Sequence, residues 1–433
     1  MSHKPVGRRR WVVGGLLGLG VLVNYLDRVN LTVGAPSIQK ELGVSTFEIG
    51  LLLSAFGWTY GVLQIPAGLI LDRYGVKPVM RISIFLWGLA SFVTSFSLGG
   101  GTLFASRMLL GIAEAPGFPA NAKATGYWFP RHERSLATAL FDASAKFSNV
   151  IAIPVVAWLV VQFGWRGAFI ATGIVSFVYL AIFAAAYRDP NDDKKLSPEE
   201  RAYITDGGAV AEGASRVGLS LLGYLLKQRK VWGLSLGFGA YGYAFALFIF
   251  WLPGYLVKEM GMDIMKSAAF TTIPWFVATV SDLVIGGWLI DHLIARGHDE
   301  TRVRKSIIIG GMVCGLAVIG AAVAHNPYWA IFWITISLSG LAATAPAAWS
   351  LPSLIAPRGG AATIGGMMNF CNSMSGVVAP IVTGFIVGTT QSFSLAFLVA
   401  GIVLVAGIAA FIFLLGPIRP IPDPEPKPGI SAL

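Results

Sequence analysis

Long apolar runs alternate with short polar segments along the whole of this 433-residue chain. Each run holds about 20 residues or more, which is the length that an α-helix needs to cross the hydrocarbon core of a bilayer. The pattern predicts twelve transmembrane helices, at residues 11–35, 47–71, 79–98, 102–124, 136–161, 165–187, 231–257, 265–290, 306–324, 328–352, 361–388 and 393–416.

The segment between the sixth and seventh runs differs from the other loops because it is long, polar and charged. It divides the chain into an N-terminal six-helix bundle at 1–188, a linker at 189–229 and a C-terminal six-helix bundle at 230–433. Three features recur in the same order in both bundles: Gly68-x-x-x-Asp72 with Gly287-x-x-x-Asp291, Ala115-Pro116 with Ala345-Pro346, and Pro154 with Pro380. The predicted fold class is an all-α membrane protein of two six-helix pseudo-repeats, an organisation that many secondary transporters share.

The composition favours the same fold class and excludes others. Hydrophobic residues make up 55% of the chain and charged residues 12%, about half the charged share of a soluble domain. The net charge of +10 does not indicate a nucleic-acid partner, because the basic residues concentrate at the N-terminus, in the linker and in the loops after even-numbered helices. The positive-inside rule then predicts that both termini and the linker are cytoplasmic.

Metal, cofactor and enzyme chemistry finds no support in the residue pattern. The two cysteines, Cys314 and Cys371, lack the spacing of metal ligands. The five histidines lie near the terminus or in loops and offer no nucleophile–base pair. We therefore expect no metal, no cofactor and no enzymatic activity.

Four ionisable residues interrupt the predicted membrane helices of the N-terminal bundle. Asp27 and Arg28 lie in the first run, and Arg107 and Glu114 lie in the fourth. A charge at the depth of a bilayer persists only when it is paired or faces a wet cavity, and such residues mark ion and proton pathways. These residues predict a carrier of charged solutes or protons.

The segment GLILDRYGVK, which follows the second run, resembles the signature of the major facilitator superfamily. Arg107-x-x-x-Gly111 in the fourth run matches a second pattern of that superfamily. The physical role of the first motif would be a gate latch, in which Asp72 pairs with a basic group or a helix N-terminus of the other half. The predicted gate residues are Gly68, Asp72, Arg73, Asp142 and Asp291.

Four further segments resemble one branch of the superfamily, the anion:cation symporter family; they are NYLDRVNL, EAPGFPANAKATGYWFPRHERSLA, LSPEERAYI and GVVAPIVTGFIV. That family includes bacterial permeases for sugar acids and other carboxylates and the vesicular glutamate and sialic acid transporters. The resemblance implies a multi-pass protein of the bacterial inner membrane that couples anion transport to protons. It also implies that Asp27, Arg28, Arg107 and Glu114 form the binding and coupling centre.

Helix geometry adds an expected pairing within this centre. Arg107 and Glu114 are seven residues apart, so they share a helix face but lie two turns from each other. We expect Arg107 to pair with Asp27, which leaves Arg28 to bind a substrate carboxylate with its forked guanidinium. Asp27, Glu114 and Arg107 are the predicted proton-coupling residues. The alternative is a fixed ion-pair network that only sets helix packing.

Other polar and aromatic residues in the runs complete the predicted substrate site. With Arg28, the predicted substrate-binding residues are Tyr60, Gln64, Lys146, Asn149, Tyr241, Trp349, Asn369 and Asn372. Lys146 has two interpretations that stay open: it binds a second substrate carboxylate, or it forms a local pair with Asp142 one turn away. The first interpretation would favour a diacid such as an aldarate.

The predicted function is import of an organic anion together with protons, the anion being a sugar acid such as a hexuronate, a hexonate or an aldarate. A carboxylate exchanger or exporter, an aromatic-acid permease and a membrane carboxylate sensor are the alternatives. The expected partners are the small organic anion, the proton and the lipid bilayer, with no nucleic acid. We expect a monomer.

Overall fold

The structure is a computed structural model, which describes residues 7–44, 46–210, 219–262, 264–324, 326–390 and 392–424. Within these ranges the regular structure is entirely helical. Twelve helical rods, α1 to α12, follow one another with short connections, so the predicted all-α fold class is confirmed.

The N-terminal rods α1–α6 are termed the N-half, and the C-terminal rods α7–α12 the C-half. In the N-half the rods are α1 Arg9–Leu42, α2 Thr46–Val62 with Gln64–Tyr74, α3 Val76–Ser95, α4 Gly100–Glu114 with Gly117–Trp128, α5 134–163 and α6 165–186. In the C-half they are α7 Arg229–Lys258, α8 Ile264–Ser281 with Asp282–Leu289 and Ile290–Ala295, α9 Glu300–Gly315 with Val318–Ala322, α10 Pro327–Ile355, α11 Ala361–Thr390, and α12 Ser394–Ala409 with Ala410–Leu414.

Local sequence explains where the rods break. Rod α4 is interrupted at Ala115-Pro116, since proline lacks the N–H that an unbroken helix would use there. Gly164 has φ 69°, a left-handed conformation that favours glycine, and it turns the chain from α5 into α6. In the described part of the chain, nine helices are long and apolar enough to cross a membrane. The interrupted rods α2 and α4 fall outside that group, and α5 enters it only from Pro154 onward.

Two close helix crossings join the halves. A Cβ atom added to Gly68 on α2 would lie 2.5 Å from the backbone oxygen of Ala362 on α11. The equivalent Gly287 on α8 approaches α5, where an added Cβ would lie 2.7 Å from the Cβ of Ala139. Glycine at these two positions therefore lets the helices pack at backbone distance.

The face of the molecule that carries the N-terminus and the 189–210 segment is termed the basic face, and the opposite face the far face. Here Arg9 pairs with Asp193 at 2.8 Å, and Arg10 pairs with Glu133 and Glu200. The short helix Pro198–Asp206 is capped by Ser197 and carries Glu200 in its first turn. The first part of the predicted linker is thus fixed to the N-half, while the predicted bundle boundaries at 188 and 229 stay a prediction.

Burial changes sharply between the two faces. Three stretches that end or begin at the basic face are buried at every residue: 118–128, 340–355 and 361–369. Residues 370–377 of α11, farther from this face, are all partly exposed. The halves are therefore sealed together at the basic face, and the crevice between them widens toward the far face.

Candidate functional site

Arg28 and Glu114 form an ion pair at the inner end of the crevice. Arg28 Nε donates to Glu114 Oε2 at 2.7 Å; 19% of the Arg28 side chain is exposed, whereas Glu114 is enclosed. The guanidinium carbon lies 4.7 Å from the ring centroids of Tyr25 and Phe56 and 4.8 Å from that of Tyr60. Three aromatic faces stabilise the cation and fix its position.

The expected pairing of the four central charges is wrong in two respects. Arg28 is bound to Glu114 and does not stand unpaired. Arg107 Nη1 reaches the backbone oxygen of Asp27 at 3.4 Å, while the Asp27 carboxylate accepts hydrogen bonds of 2.7 Å from Ser91 and Ser176. Adjacent residues on a helix point about 100° apart. Asp27 therefore faces α3 and α6 when Arg28 faces the crevice.

Two atoms of this centre are buried without a hydrogen-bond partner in the described part of the structure. They are Glu114 Oε1 and Arg107 Nε. A buried polar atom that lacks a partner is costly, and it marks a place where a proton or ligand atom can bind with a large gain. Glu114 therefore combines one occupied and one available carboxyl oxygen beside the partly exposed Arg28.

A polar cluster joins α2 to α11 next to Arg28. Asn369 Nδ2 donates to Gln64 Oε1 at 2.9 Å and to the Tyr60 hydroxyl at 3.2 Å. Asn372 donates to Asn369 Oδ1 at 3.3 Å. The structure thus brings four of the predicted substrate residues together, and Tyr60 connects this cluster to the Arg28 cage. The amides offer donors and acceptors suited to hydroxyl groups.

Lys146 does not point into the open crevice. It is 4% exposed and donates to Asp142 on its own helix and to Asp282 on α8. The local pair with Asp142 is therefore present, and the interpretation that Lys146 stands ready for a second carboxylate is wrong for this conformation. The side chain of Asn149 lies outside the described residues.

Trp349 and Tyr241 belong to an aromatic layer that is termed the plug. The Trp349 ring centroid lies 5.3 Å from that of Phe118 on α4 and 5.6 Å from that of Phe238 on α7. Tyr241 stacks between Phe238 and Phe245. Both predicted ligand residues are buried by this packing, so in this conformation they seal the crevice and do not line it.

The first latch lies at the basic face and is built around Asp72. Its carboxylate accepts a 2.6 Å ion pair from Lys123 on α4. It also accepts from the backbone N–H groups of Ala362 and Thr363 at 3.2 and 2.7 Å and from the Thr363 hydroxyl at 2.7 Å. The carboxylate therefore caps the N-terminus of α11, where unpaired N–H groups and the helix dipole favour an anion. Arg73 is exposed over the ring of Tyr74, so the predicted contribution of Arg73 to this latch is wrong.

Asp291 forms a second latch in the equivalent place of the C-half. It accepts from the backbone N–H groups of Ser135 and Leu136 at 3.1 and 2.7 Å, at the N-terminus of α5. Arg304, which is fully buried, lies 4.0 Å from Asp291 and donates to the Ser135 hydroxyl and to Ser350. The two Gly-x-x-x-Asp motifs thus make matching contacts across the interface between the halves.

Several residues of the site carry no predicted role. They are Tyr25, Phe56, Ser91, Lys123, Ser176, Asp282, Arg304 and Thr363. Lys123 and Asp282 gave the clearest signal, because each is a lone charge in an apolar helix. The serines and aromatic residues gave no signal that distinguishes them from ordinary helix packing.

Comparisons with known proteins agree with this architecture. The sequence profile described as Major Facilitator Superfamily matches residues 17–380. The uncharacterized transporter YybO of Bacillus subtilis is 40% identical over 420 residues, covering 96% of this chain and 97% of that protein. The probable galactarate/D-glucarate transporter GarP of Escherichia coli is 31% identical, with 95% of each chain covered. The crystal structure of FucP in the outward conformation shares the fold, with a TM-score of 0.71, 14% identity, and 94% of this chain and 99% of that chain covered.

Proposed function

Since the chain belongs to the Major Facilitator Superfamily and is a multi-pass membrane transporter rather than an enzyme, we propose that it imports a sugar acid together with protons. The class of substrate comprises hexuronates, hexonates and aldarates. The protein would lie in the bacterial inner membrane with both termini in the cytoplasm, because its basic loops share one face.

The Arg28–Glu114 pair is the observation that carries the proposal. Its guanidinium is partly exposed at the inner end of a crevice, and its partner is an enclosed carboxyl with one oxygen lacking a hydrogen-bond donor. A proton on Glu114 would remove the negative charge that now occupies Arg28. The guanidinium could then bind a substrate carboxylate through two parallel hydrogen bonds.

This exchange couples the anion to the proton by charge. With Glu114 ionised, Arg28 is neutralised from within, and a second carboxylate beside it would be repelled. With Glu114 protonated, the anion replaces the lost negative charge and the centre stays balanced. Arg107 stays near Glu114 on the same helix, and Asp27 holds Arg107 through its backbone oxygen.

The hydroxyl-binding part of the site would be the polar cluster of Tyr60, Gln64, Asn369 and Asn372. Its amide groups lie beside the Arg28 cage and connect the two halves. A substrate with a carboxylate at one end and hydroxyl groups along its length fits that arrangement. The similarity to GarP supports sugar acids as the substrate class.

Alternating access would follow from the two latches. The halves now meet at the basic face through Asp72 and Asp291, each of which caps a helix of the opposite half. We propose that the bundles 1–188 and 230–433 rock about the central site, which breaks both latches and moves the plug apart. The substrate and proton would enter from the far face and leave into the cytoplasm.

Proteoliposomes with purified protein test this function. Radiolabelled D-glucarate, galactarate and D-galactonate are offered with and without an inwardly directed proton gradient. We expect gradient-driven accumulation of at least one of them and its loss in Arg28→Ala. Arg166→Ala is the matched control, because Arg166 is a partly exposed cation that pairs with Glu41 at the far end of the N-half. Uptake that ignores the gradient would contradict proton coupling, and the absence of uptake for every sugar acid would contradict the substrate class.

A further inference from the structure

A second buried charge cluster, termed the triad, joins α5 to α8. Lys146 donates to Asp142 on its own helix and to Asp282 on the opposite half. The exposed fraction is 4% for the Lys146 side chain, 8% for Asp142 and zero for Asp282. Asp282 begins the π-helical segment Asp282–Leu289, and such segments often occur at functional sites.

The charges of the triad do not balance. One ammonium group faces two carboxyl groups, so the cluster carries one net negative charge when all three are ionised. A buried charge without compensation is strongly disfavoured, above all inside a membrane protein. Asp282 Oδ1 is buried without a hydrogen-bond donor, and Asp142 lies close enough to Asp282 for a hydrogen bond between two carboxyls, which requires a proton. One proton on the triad removes the excess charge and supplies that hydrogen bond.

Helices α7 and α10 do not supply the missing positive charge. Helix α7 presents the phenol of Tyr241 and the ring of Phe245, whose centroid is 5.6 Å from Lys146 Nζ. Helix α10 packs on the π-helical segment, and its sequence contains no Asp, Glu, Lys, Arg or His. Neither helix therefore brings a compensating cation to the triad.

The cations of α1 and α4 near the triad are already occupied. Helix α1 presents Tyr25, which lies within the electrostatic reach of both Arg28 and Lys146. Arg28 is paired with Glu114. On the part of α4 that packs against α5, Lys123 is paired with Asp72. The triad and the Arg28 pair are thus neighbours along one crevice, and each has its own carboxyl groups.

We propose that Asp142, Lys146 and Asp282 form a second proton site, which loads one proton from the far face and releases it at the basic face in each transport cycle. The proposal rests on the proposed function, because it adds a proton to the cycle that Glu114 couples. It is separate from the Arg28 centre because the triad contacts no residue of the polar cluster through the bonds described above.

Opening of the basic face would divide the triad unequally. Lys146 and Asp142 would stay together on α5 as a neutral pair, whereas Asp282 would be left on α8 without a cation. A protonated Asp282 can separate as a neutral group. Once it meets water at the basic face, its O–H bond ionises and the proton passes to that water. The carboxylate then attracts Lys146 when the halves close, and water of the far face supplies the next proton.

Two isosteric amides distinguish this role from a structural ion cluster. In proteoliposomes, the number of protons per D-glucarate is found from the membrane voltage that stops net flux at known gradients. Asp282→Asn mimics the protonated group, so we expect one proton fewer per anion with anion affinity within twofold of wild type. Asp142→Asn leaves a balanced Lys146–Asp282 pair across the interface, so we expect turnover to fall at least tenfold. An unchanged ratio in active Asp282→Asn, or equal slowing by both variants, would overturn the proposal.

Infrared difference spectra of the purified protein supply a readout that needs no transport. Titration of wild type should show the carbonyl band of a protonated carboxyl that Asp282→Asn removes and Glu114→Gln keeps. If Asp282→Asn does not fold, Asp142→Asn tests the same band, because it also leaves one carboxyl per lysine and should abolish it. A band that persists in the folded variants would overturn the second proton site. Failure of all sugar acids to be transported would refute the proposed function and leave this spectroscopic test intact.

Discussion

Replacement of Asp72 by Asn should shift the protein away from the conformation described here. The carboxylate is fully enclosed and pairs with Lys123, whose side chain is 2% exposed. Removing one member of a buried ion pair costs about 3–5 kcal/mol, because the other charge stays buried and uncompensated. Opening of the basic face would let water reach Lys123, so the cost falls on the closed conformation alone.

The expected population shift follows from that cost. A difference of about 3 kcal/mol corresponds to a change of roughly a hundredfold in the equilibrium between closed and open conformations. The amide can still accept a hydrogen bond from the N-terminus of α11, which keeps the shift near the lower end of the range. The double variant Asp72→Asn with Lys123→Met removes both charges, so it should recover most of the closed population.

Distances between spin labels at the basic face measure this shift. Tyr74→Cys in the N-half and Arg296→Cys in the C-half place the labels at two exposed positions, with Cys314 and Cys371 replaced by Ser. We expect Asp72→Asn to add a population with a longer distance and the double variant to lose it. A distribution identical to that of wild type would refute the assignment of Asp72 as a latch.

Three further predictions concern packing, hydrogen bonding and pH. Gly68→Ala should open the basic face in the same spin-label assay, because its Cβ would collide with a backbone oxygen of α11, whereas Gly101→Ala, which meets no atom within 4 Å, should not. Ser176→Ala should lower the free energy of unfolding by about 1–3 kcal/mol in a denaturation assay, because it leaves an oxygen of the buried Asp27 without a donor. Burial lowers the pKa of His132 below its usual 6.5, so its contribution to stability is complete above that value and is lost as pH falls through the folded pKa. His132→Gln should flatten the dependence of thermal unfolding on pH in that range, and an unchanged profile would exclude His132 as its source.

The sequence predicted those parts of the site that depend on local pattern. Asp72 follows Gly68 by four residues at the end of an apolar run, and both the close crossing and the cap on the opposite half depend on that spacing. The apolar runs likewise marked the twelve rods, since helix length in a bilayer is set by its thickness.

The partners of each charge could not be predicted from the sequence. The rotation of each helix about its axis decides whether Asp27 or Arg28 faces the crevice, and tertiary packing sets that rotation. The contact of Lys146 with Asp282 links residues 136 positions apart on opposite halves. A single sequence without structural information does not specify such a pair. Trp349 was expected to contact ligand, but its neighbours Phe118 and Phe238 enclose it.

The exchange of Glu114 for a substrate carboxylate on Arg28 is the central claim of this account. Titration calorimetry of D-glucarate binding, repeated in buffers with different enthalpies of ionisation, counts the protons that the protein takes up with each anion. Glu114→Gln should bind the anion with about one proton fewer than wild type at the same pH. Equal proton uptake by wild type and Glu114→Gln would contradict the claim.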